Sequence, residues 1–467
     1  MLRRLRAHLI GAVLLCGLAG AAQAQAPSDT ERTEALEMYR HIVSLDTSTE
    51  GGQTPAMANY LADRFRAAGF PAEDVQVLPL EQTAGLLVRY RGDGSAGRPI
   101  LLIAHMDVVP ARRGEWDRDP FTLVEENGYF FGRGASDNKA GLTHIAQTFI
   151  TLRRENFRPT RDLIIWFSGD EETSGATTMA LLAEHRALIG DAEFALNADA
   201  GGGVINQAGQ ALYALQTAEK TYASYTFTAR NQGGHSSAPR EDNAIYELSA
   251  ALTRLRAFQF PVMWNDTTIA SFRAEAPLDP SPSGRAALRF VQNPGDRAAA
   301  RTMSRNPYYA AQLRTTCVAT MLAAGHAENA LPQSATATVN CRIFPGVAVA
   351  DVLSELRAIA GNKVEVTPLG PSNSSDASPL RPDVMQASAR AVHAIYPDAV
   401  ISPYMSAGAT DGLFFRAAGI PTYGVGAVFI GDADDFAHGL NERVPVRSFY
   451  EGLTHWRILL TDLAGAN

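Results

Sequence analysis

The stretch Leu163-Ile164-Ile165-Trp166-Phe167-Ser168-Gly169-Asp170-Glu171-Glu172-Thr173-Ser174-Gly175 decides how this chain is read. Its apolar half has the composition of a strand buried on both faces, and such strands belong to parallel sheets covered by helices. Two adjacent glutamates follow at the strand's carboxyl end, where open α/β sheets collect their ligands. Neighbouring side chains diverge in extended backbone, so one carboxylate can bind a metal while the other stays free to move a proton. An isolated Glu-Glu pair is ordinarily a solvated turn, because carboxylates are seldom buried. Other segments of the chain argue against that reading.

Two further buried-strand patterns end in metal-ligand residue types. Pro99 to Ala104 runs into His105-Met106-Asp107, and Glu193 to Asn197 runs into Asp199 and a triple glycine at 201–203. Between them, the glycine-punctuated segment from Phe131 to Gly141 holds Asp137 in a loop that opens a helix over about 142–154. A second histidine, His438, follows the apolar stretch from Tyr423 to Ile430. A lone histidine is more often structural than ligating. Several carboxylates and imidazoles at strand ends and loops are the pattern of a metal site.

Helical patterns at 32–45 and 55–68 alternate with strand candidates near 75–80 and 85–90, which predicts a mostly parallel α/β sheet sandwiched by helices. The character changes near Lys220. A half-exposed strand at 221–229, a turn through Gly233-Gly234-His235-Ser236-Ser237, a helix at 245–258 and strands at 315–321 and 336–343 come next. A helix at 350–359 and a strand at 363–367 complete the split βαβ, ferredoxin-like order. The expected organisation is therefore an α+β domain over residues 220–370 inserted in a larger domain made of 25–219 and 371–467. A partly helical, proline-rich stretch separates its first helix from its second strand. The return to the main sheet is expected to hold a helix at 382–396 and a strand at 421–425.

The first residues read as a processing segment. Arg3, Arg4 and Arg6 precede an apolar run from Leu9 to Ala22, and Ala22-Gln23-Ala24 fits cleavage after Ala24, giving a signal peptide over residues 1–24 and a periplasmic or secreted protein. The run is shorter than the roughly 20 residues that span a bilayer, so no stable membrane span is expected. The formal charge of −8 does not suit nucleic acid, and removal of three arginines makes the chain more acidic still. Of three cysteines, Cys317 and Cys341 remain after cleavage. Paired as an antiparallel hairpin, their strands bring the two near one another. Free thiols serving as small buried hydrophobes are the favoured reading, with a disulfide as the alternative that export permits.

Taken together, His105-x-Asp107, the segment from Gly132 to Gly141, Ser168 to Glu172, the Asp199 segment, Gly233 to Ser237, the Asn329 and Arg342 pair, Gly408 to Gly412 and Ala437 to Gly439 occur in an order that resembles one family. It is the di-zinc metallopeptidase family that includes aminoacylase, glutamate carboxypeptidase, carnosinase, carboxypeptidase S and succinyl-diaminopimelate desuccinylase. The carboxypeptidase S and N-acyl-amino-acid hydrolase branch is the most similar. The resemblance implies two Zn2+ per subunit, with Co2+ or Mn2+ as substitutes. His105 and Asp199 would hold one, Glu172 and His438 the other, and Asp137 would bridge them. It further implies that Asp107 orients His105, that Glu171 is the general base, and that His235 in the inserted lid supplies an oxyanion donor, within its own subunit or to a partner. Asn329 and Arg342, with Gly408 and Thr410, would hold the substrate's α-carboxylate. A cis peptide between Asp137 and Asn138 is implied as well.

The expected reaction is hydrolysis of a peptide or N-acyl amide bond beside a free α-carboxylate. The expected partner is that substrate, and a homodimer through the lid is open. Two alternatives differ in kind: a catalytically silent secreted binding protein that retains the fold, and a hydrolase with a single metal.

Overall fold

The computed structural model of the chain describes residues 26–466 apart from 432, 433 and 435. The expected signal segment and its cleavage point lie outside the described residues. Among those residues no helix is long and apolar enough to cross a membrane.

The larger domain is built on a ten-stranded mixed sheet. Its middle strands, Leu163–Ser168, Ile100–His105, Phe194–Asn197 and Thr422–Gly424, lie side by side in that order and run parallel. Every residue of the first two is buried. Their side chains go alternately to two cores, which is why the sequence shows no polar alternation. Leu102 and Ile165 face a core closed by Tyr39, Phe149, Val392 and Trp456 from the helices Asp29–Ser44, Ala140–Arg154, Pro382–His393 and Val446–Ala464. Leu101, Ile103, Ile164 and Trp166 face Leu181, Ile189, Phe415 and Ile420 on the other side. The register sets His105 opposite Ser168. The histidine and the acidic turn therefore leave the sheet at the same edge.

Outside this parallel centre, Val75–Leu80 and Thr83–Tyr90 add an antiparallel edge, and Gly202–Ile205, Ala211–Glu219, Val400–Ser406 and Phe429–Gly431 extend the other side. The return segment thus holds more than the expected helix and single strand. Pro403 and the serines disguise the strand Val400–Ser406, which pairs parallel with Ala211–Glu219 through a register shift between Tyr404 and Met405.

The smaller domain is a four-stranded antiparallel sheet in the spatial order Thr316–Ala324, Ser334–Ile343, Thr221–Arg230, Val364–Leu369. This is the split βαβ arrangement. The helices Ala244–Ala257 and Val349–Ala360 cover one face, packing Leu248, Leu255, Val352 and Leu356 on Phe227, Val339 and Cys341. Cys317 and Cys341 are joined by a disulfide, which corrects the favoured expectation of free thiols. The cause is register: they stand directly opposite each other in the ladder, with Cα atoms 4.1 Å apart, and a bulge between Ala319 and Met321 absorbs the misfit of the connecting loop.

The long stretch between the first helix and second strand of this domain forms a helical unit of its own. Helices Asp266–Glu275, Pro282–Gln292, Arg297–Met303 and Pro307–Gln312 enclose Phe272, Phe290, Met303 and Tyr309. This unit rests on the larger domain: Ser402 donates to Glu275 at 2.7 Å and Gln312 to the Met405 carbonyl at 3.0 Å.

Candidate metal centre

Two groups of ligating side chains share one residue. His105, Asp137 and Asp199 form the first group and Asp137, Glu172 and His438 the second, the ligand atoms of each lying within 4.8 Å of one another. One oxygen of Asp137 is 2.9 Å from His105 Nε2, and its other oxygen is 3.2 Å from His438 Nε2. Asp199 lies 3.2 Å from His105 Nε2, and Glu172 lies 2.9 Å from His438 Nε2. Ligand atoms around a tetrahedral zinc with bonds of ~2.0–2.1 Å stand about 3.3 Å apart. The donor spacing is thus close to what the ion requires, and the donor set of imidazole and carboxylate suits it.

The electrostatics point the same way. His105 Nδ1 faces the Asp107 carbonyl at 2.9 Å, and a carbonyl can only accept, so Nδ1 carries the proton and Nε2 turns a lone pair toward two carboxylates. Acceptors crowded in this way need a cation between them. Without a metal the cluster recruits protons: burial opposes charge on His105, yet Asp199, Asp107 and Asp137 raise its pKa well above the ordinary value. His438 is raised to about 10 by its bonds to Asp137 and Glu172. Burial pushes Asp199 up to about 7, and burial together with Asp199 raises Glu171 well above the carboxylate range.

Local structure explains how the ligands are held. The acidic pair lies in a turn rather than in the extended backbone expected from the sequence. Asp170 builds that turn, its carboxylate accepting the amides of Ala176 and Thr177 at 2.6 and 2.9 Å. Asp107 fixes it from just beyond the end of the neighbouring strand by accepting the Glu171 and Glu172 amides, both at 3.0 Å. The expected role of Asp107 shifts accordingly. Its main-chain carbonyl orients His105, its carboxylate oxygen is 3.5 Å from that ring, and the carboxylate's close bonds place the glutamates.

Glu442 was given no role by the sequence and has a central one. It is fully buried; Oε1 accepts the amides of Ser136 and Asp137 at 2.7 and 2.9 Å, while Oε2 accepts the Gly134 amide at 3.0 Å and Arg133 at 2.6 Å. Arg133 also donates to the carbonyls of His438 and Gly439, both at 3.3 Å. One buried ion pair therefore locks the loop of Asp137 to the loop of His438. Within the first loop the Asp137-Asn138 peptide is cis, and the Asn138 amide donates to the Ala198 carbonyl at 3.1 Å beside Asp199.

The remaining candidates lie in two places. His235 and Asn329 are neighbours on a short exposed ladder, where His235 pairs with Ala330 and the Ser236 amide donates to the Asn329 carbonyl at 3.0 Å. His235 Nδ1 accepts the Ser237 amide at 3.2 Å, which leaves Nε2 as the N–H of the neutral ring. Arg342 stacks over Tyr222, 4.7 Å from the ring centre, and donates to the Ala407 carbonyl at 2.7 Å, so it meets the loop of Gly408 and Thr410. Those two residues shape the loop rather than offer free donors. The Gly408 amide is bound to Ser406 at 3.0 Å, and the Thr410 hydroxyl donates to buried Glu219 at 3.1 Å while accepting from Asn197 and Gly412. Asp411 accepts from Thr178 at 3.0 Å.

Comparison with known proteins agrees with this geometry. Residues 101–462 match the model of peptidase family M20/M25/M40. Among curated proteins, the human N-fatty-acyl-amino acid synthase/hydrolase PM20D1 is 29% identical over 435 residues, covering 89% of this chain and 84% of that protein. The probable carboxypeptidase S-like 2 of Dictyostelium discoideum is 24% identical over 388 residues, covering 78% and 71%. The fold of an M20 family metallo-carboxypeptidase from Sulfolobus solfataricus superposes with a TM-score of 0.70 at 20% identity, covering 91% of this chain and 98% of the other. The chain belongs to peptidase family M20/M25/M40, on its carboxypeptidase and N-acyl-amino-acid hydrolase branch.

Proposed function

We propose that the protein is a secreted zinc-dependent hydrolase that cleaves a peptide or N-acyl amide bond beside a free α-carboxylate, using a co-catalytic pair of Zn2+ ions. The observation that carries this reading is the position of Asp137, one oxygen in each ligand group. A single-metal hydrolase would not need that carboxylate between two histidines. His105 and Asp199 would hold one ion, His438 and Glu172 the other, with Co2+ or Mn2+ as substitutes. When bound, such ions polarise the scissile carbonyl and lower the pKa of water.

The chain's own residues do the rest. Glu171, half-buried beside Asp199, must be ionised when water attacks; its carboxylate then accepts the water's proton, and burial and the neighbouring Asp199 raise its affinity for that proton before it is returned to the leaving nitrogen. His235 Nε2 supplies a donor for the developing oxyanion. Arg342 offers a planar fork to the substrate carboxylate, and Asn329 extends the polar surface beside His235. Retention of Glu171 and every proposed ligand speaks against a silent binding protein. Similarity to an N-fatty-acyl-amino acid synthase/hydrolase and to a probable carboxypeptidase S-like protein supports a substrate that ends in an amino-acid carboxylate.

Secretion rests on residues 1–24 alone, and amino-terminal sequencing of the exported protein tests it. Pairing of two lids is supported by the open edge strand Thr316–Ala324, where Val318, Met321 and Leu322 are exposed; light scattering tests it. The reaction is tested by a product screen with N-acyl amino acids, their methyl esters and dipeptides, in metal-stripped and zinc-restored protein. Cleavage of the free acids alone, restored by zinc, is expected. Full activity in metal-free protein, or equal cleavage of the esters, contradicts the reading.

A further inference from the structure

The helical unit between the first helix and second strand of the smaller domain carries a cavity of about 930 Å3 that shares no lining residue with the metal centre. Four arginines line it, Arg297, Arg301, Arg305 and Arg314, and no acidic residue does. In a chain whose 49 acidic side chains outnumber its 41 basic ones, that local excess calls for a cause.

Arg297, Arg301 and Arg305 recur every fourth residue, so they share one side of the helix Arg297–Met303 and its end. All three are exposed, and none has an ion pair among the described residues. Arg289 on the preceding helix shows the ordinary alternative, with Asp296 at 3.5 Å. Arg314 is 9% exposed. Its guanidinium donates to Gln259 at 2.8 Å and Ser304 at 2.7 Å, both neutral, and its Nε has no partner. A buried charge met only by neutral acceptors is costly, and an anion in the cavity would relieve it.

The cavity also presents Phe260, Val262 and Trp264. Trp264 is 46% exposed, whereas Trp116, Trp166 and Trp456 are buried. An exposed tryptophan beside unpaired guanidinium groups makes a surface that is apolar in one part and cationic in the other. A small inorganic anion would leave the apolar part wet, and a neutral apolar molecule would leave the charge unmet. The volume suits a ligand of drug-like size. We infer that this cavity binds an organic anion with an extended apolar body, of the class of a long-chain carboxylate. The guanidinium groups take the carboxylate and the aromatic wall takes the chain. This holds whichever amide the metal centre cleaves.

Titration of the protein as isolated with dodecanoate, below its micelle concentration, tests the inference through Trp264 emission. A saturable signal is expected, absent in Trp264→Phe. The dissociation constant should rise at least ~10-fold in the double variant Arg301→Gln/Arg305→Gln, as loss of charge-assisted bonds implies. The matched pair Arg273→Gln/Arg285→Gln, outside the cavity, should leave it unchanged. Because both reporters lie in the helical unit, occupancy of the metal centre by the same carboxylate moves neither. The inference is overturned by absence of saturable binding, by equal weakening in the control pair, by dodecanol binding as tightly, or by pyrophosphate displacing dodecanoate at lower concentration.

Discussion

The metal cluster and the lid hairpin that carries His235 are held in opposite ways. In the ligand cluster, Glu172, Asp137 and His438 stand on backbone fixed by buried polar groups: Asp107 for the glutamates, Glu442 and Arg133 for the loops of Asp137 and His438. His235 stands exposed on a two-residue ladder, and Asn329 stands exposed just before that ladder's other strand. Metals demand ligand positions fixed to fractions of an ångström, and closely placed carboxylates repel until a cation arrives, so that half of the site needs a rigid frame. Groups that meet substrate must admit and release it. The division predicts that changes in the frame alter metal content and stability, whereas changes in the lid alter turnover and substrate affinity alone.

The acidic turn breaks this comparison most sharply, because the proposed function gives its two residues different tasks. Glu171→Gln should retain both metals and lose at least ~10²-fold in kcat. Glu172→Gln should lose metal from the His438 group first, seen by elemental analysis. Equal metal loss in both variants would mean that the two side chains act as one ligand set.

Next comes the frame itself. Glu442→Gln leaves Arg133 buried without its counter-charge, and breaking such a pair costs about 3–5 kcal/mol. A large fall in thermal midpoint, with weaker metal retention, is expected. An unchanged midpoint would show that the loops are held by the metals rather than by Glu442.

Arg342→Lys probes the lid. It keeps the charge but not the planar fork, so KM for free-acid substrates should rise about tenfold with metal content and melting unchanged. A change in kcat alone would remove Arg342 from carboxylate binding.

Proton linkage gives the most gradual effect. His144, bonded to the Phe449 carbonyl at 2.8 Å, is lowered by burial to about 4, and burial lowers His455 to about 3. The unfolded chain protonates both near 6.5. Between 6.5 and about 3–4 the unfolded state thus binds more protons, and stability falls as pH drops through that window. Melting from pH 7 to pH 4.5 should show the decline, and His144→Asn should flatten it. An identical slope in that variant would assign the acid sensitivity elsewhere.

Much of this site is legible in the linear chain because strand burial and ligand chemistry are both local. An unbroken apolar run ending in His105 or in Asp170-Glu171-Glu172 announces a strand of a covered parallel sheet and a ligand at its end. Glu442 and Arg133 are silent in sequence, since their meaning lies in a contact between residues 309 apart. The disulfide turned on register: a bulge at Ala319/Met321 sets Cys317 against Cys341. The family resemblance implies that Thr410 and Gly408 hold the substrate carboxylate; in this structure the Thr410 hydroxyl donates to Glu219 and the Gly408 amide to Ser406, contacts that no local pattern in the chain announces. The strand Val400–Ser406 was hidden by Pro403, which a sheet tolerates only where its missing N–H is not needed.

The claim on which the rest depends is that Asp137 joins two metal sites. Zinc titration of metal-stripped protein, read as ions bound per chain by elemental analysis after desalting, tests it directly when run on the wild-type chain beside Asp137→Asn. Two ions per wild-type chain, with both weakened together in the variant, is the predicted result. One ion per wild-type chain at full activity, or loss of a single ion in Asp137→Asn with the other held as tightly as before, would contradict it.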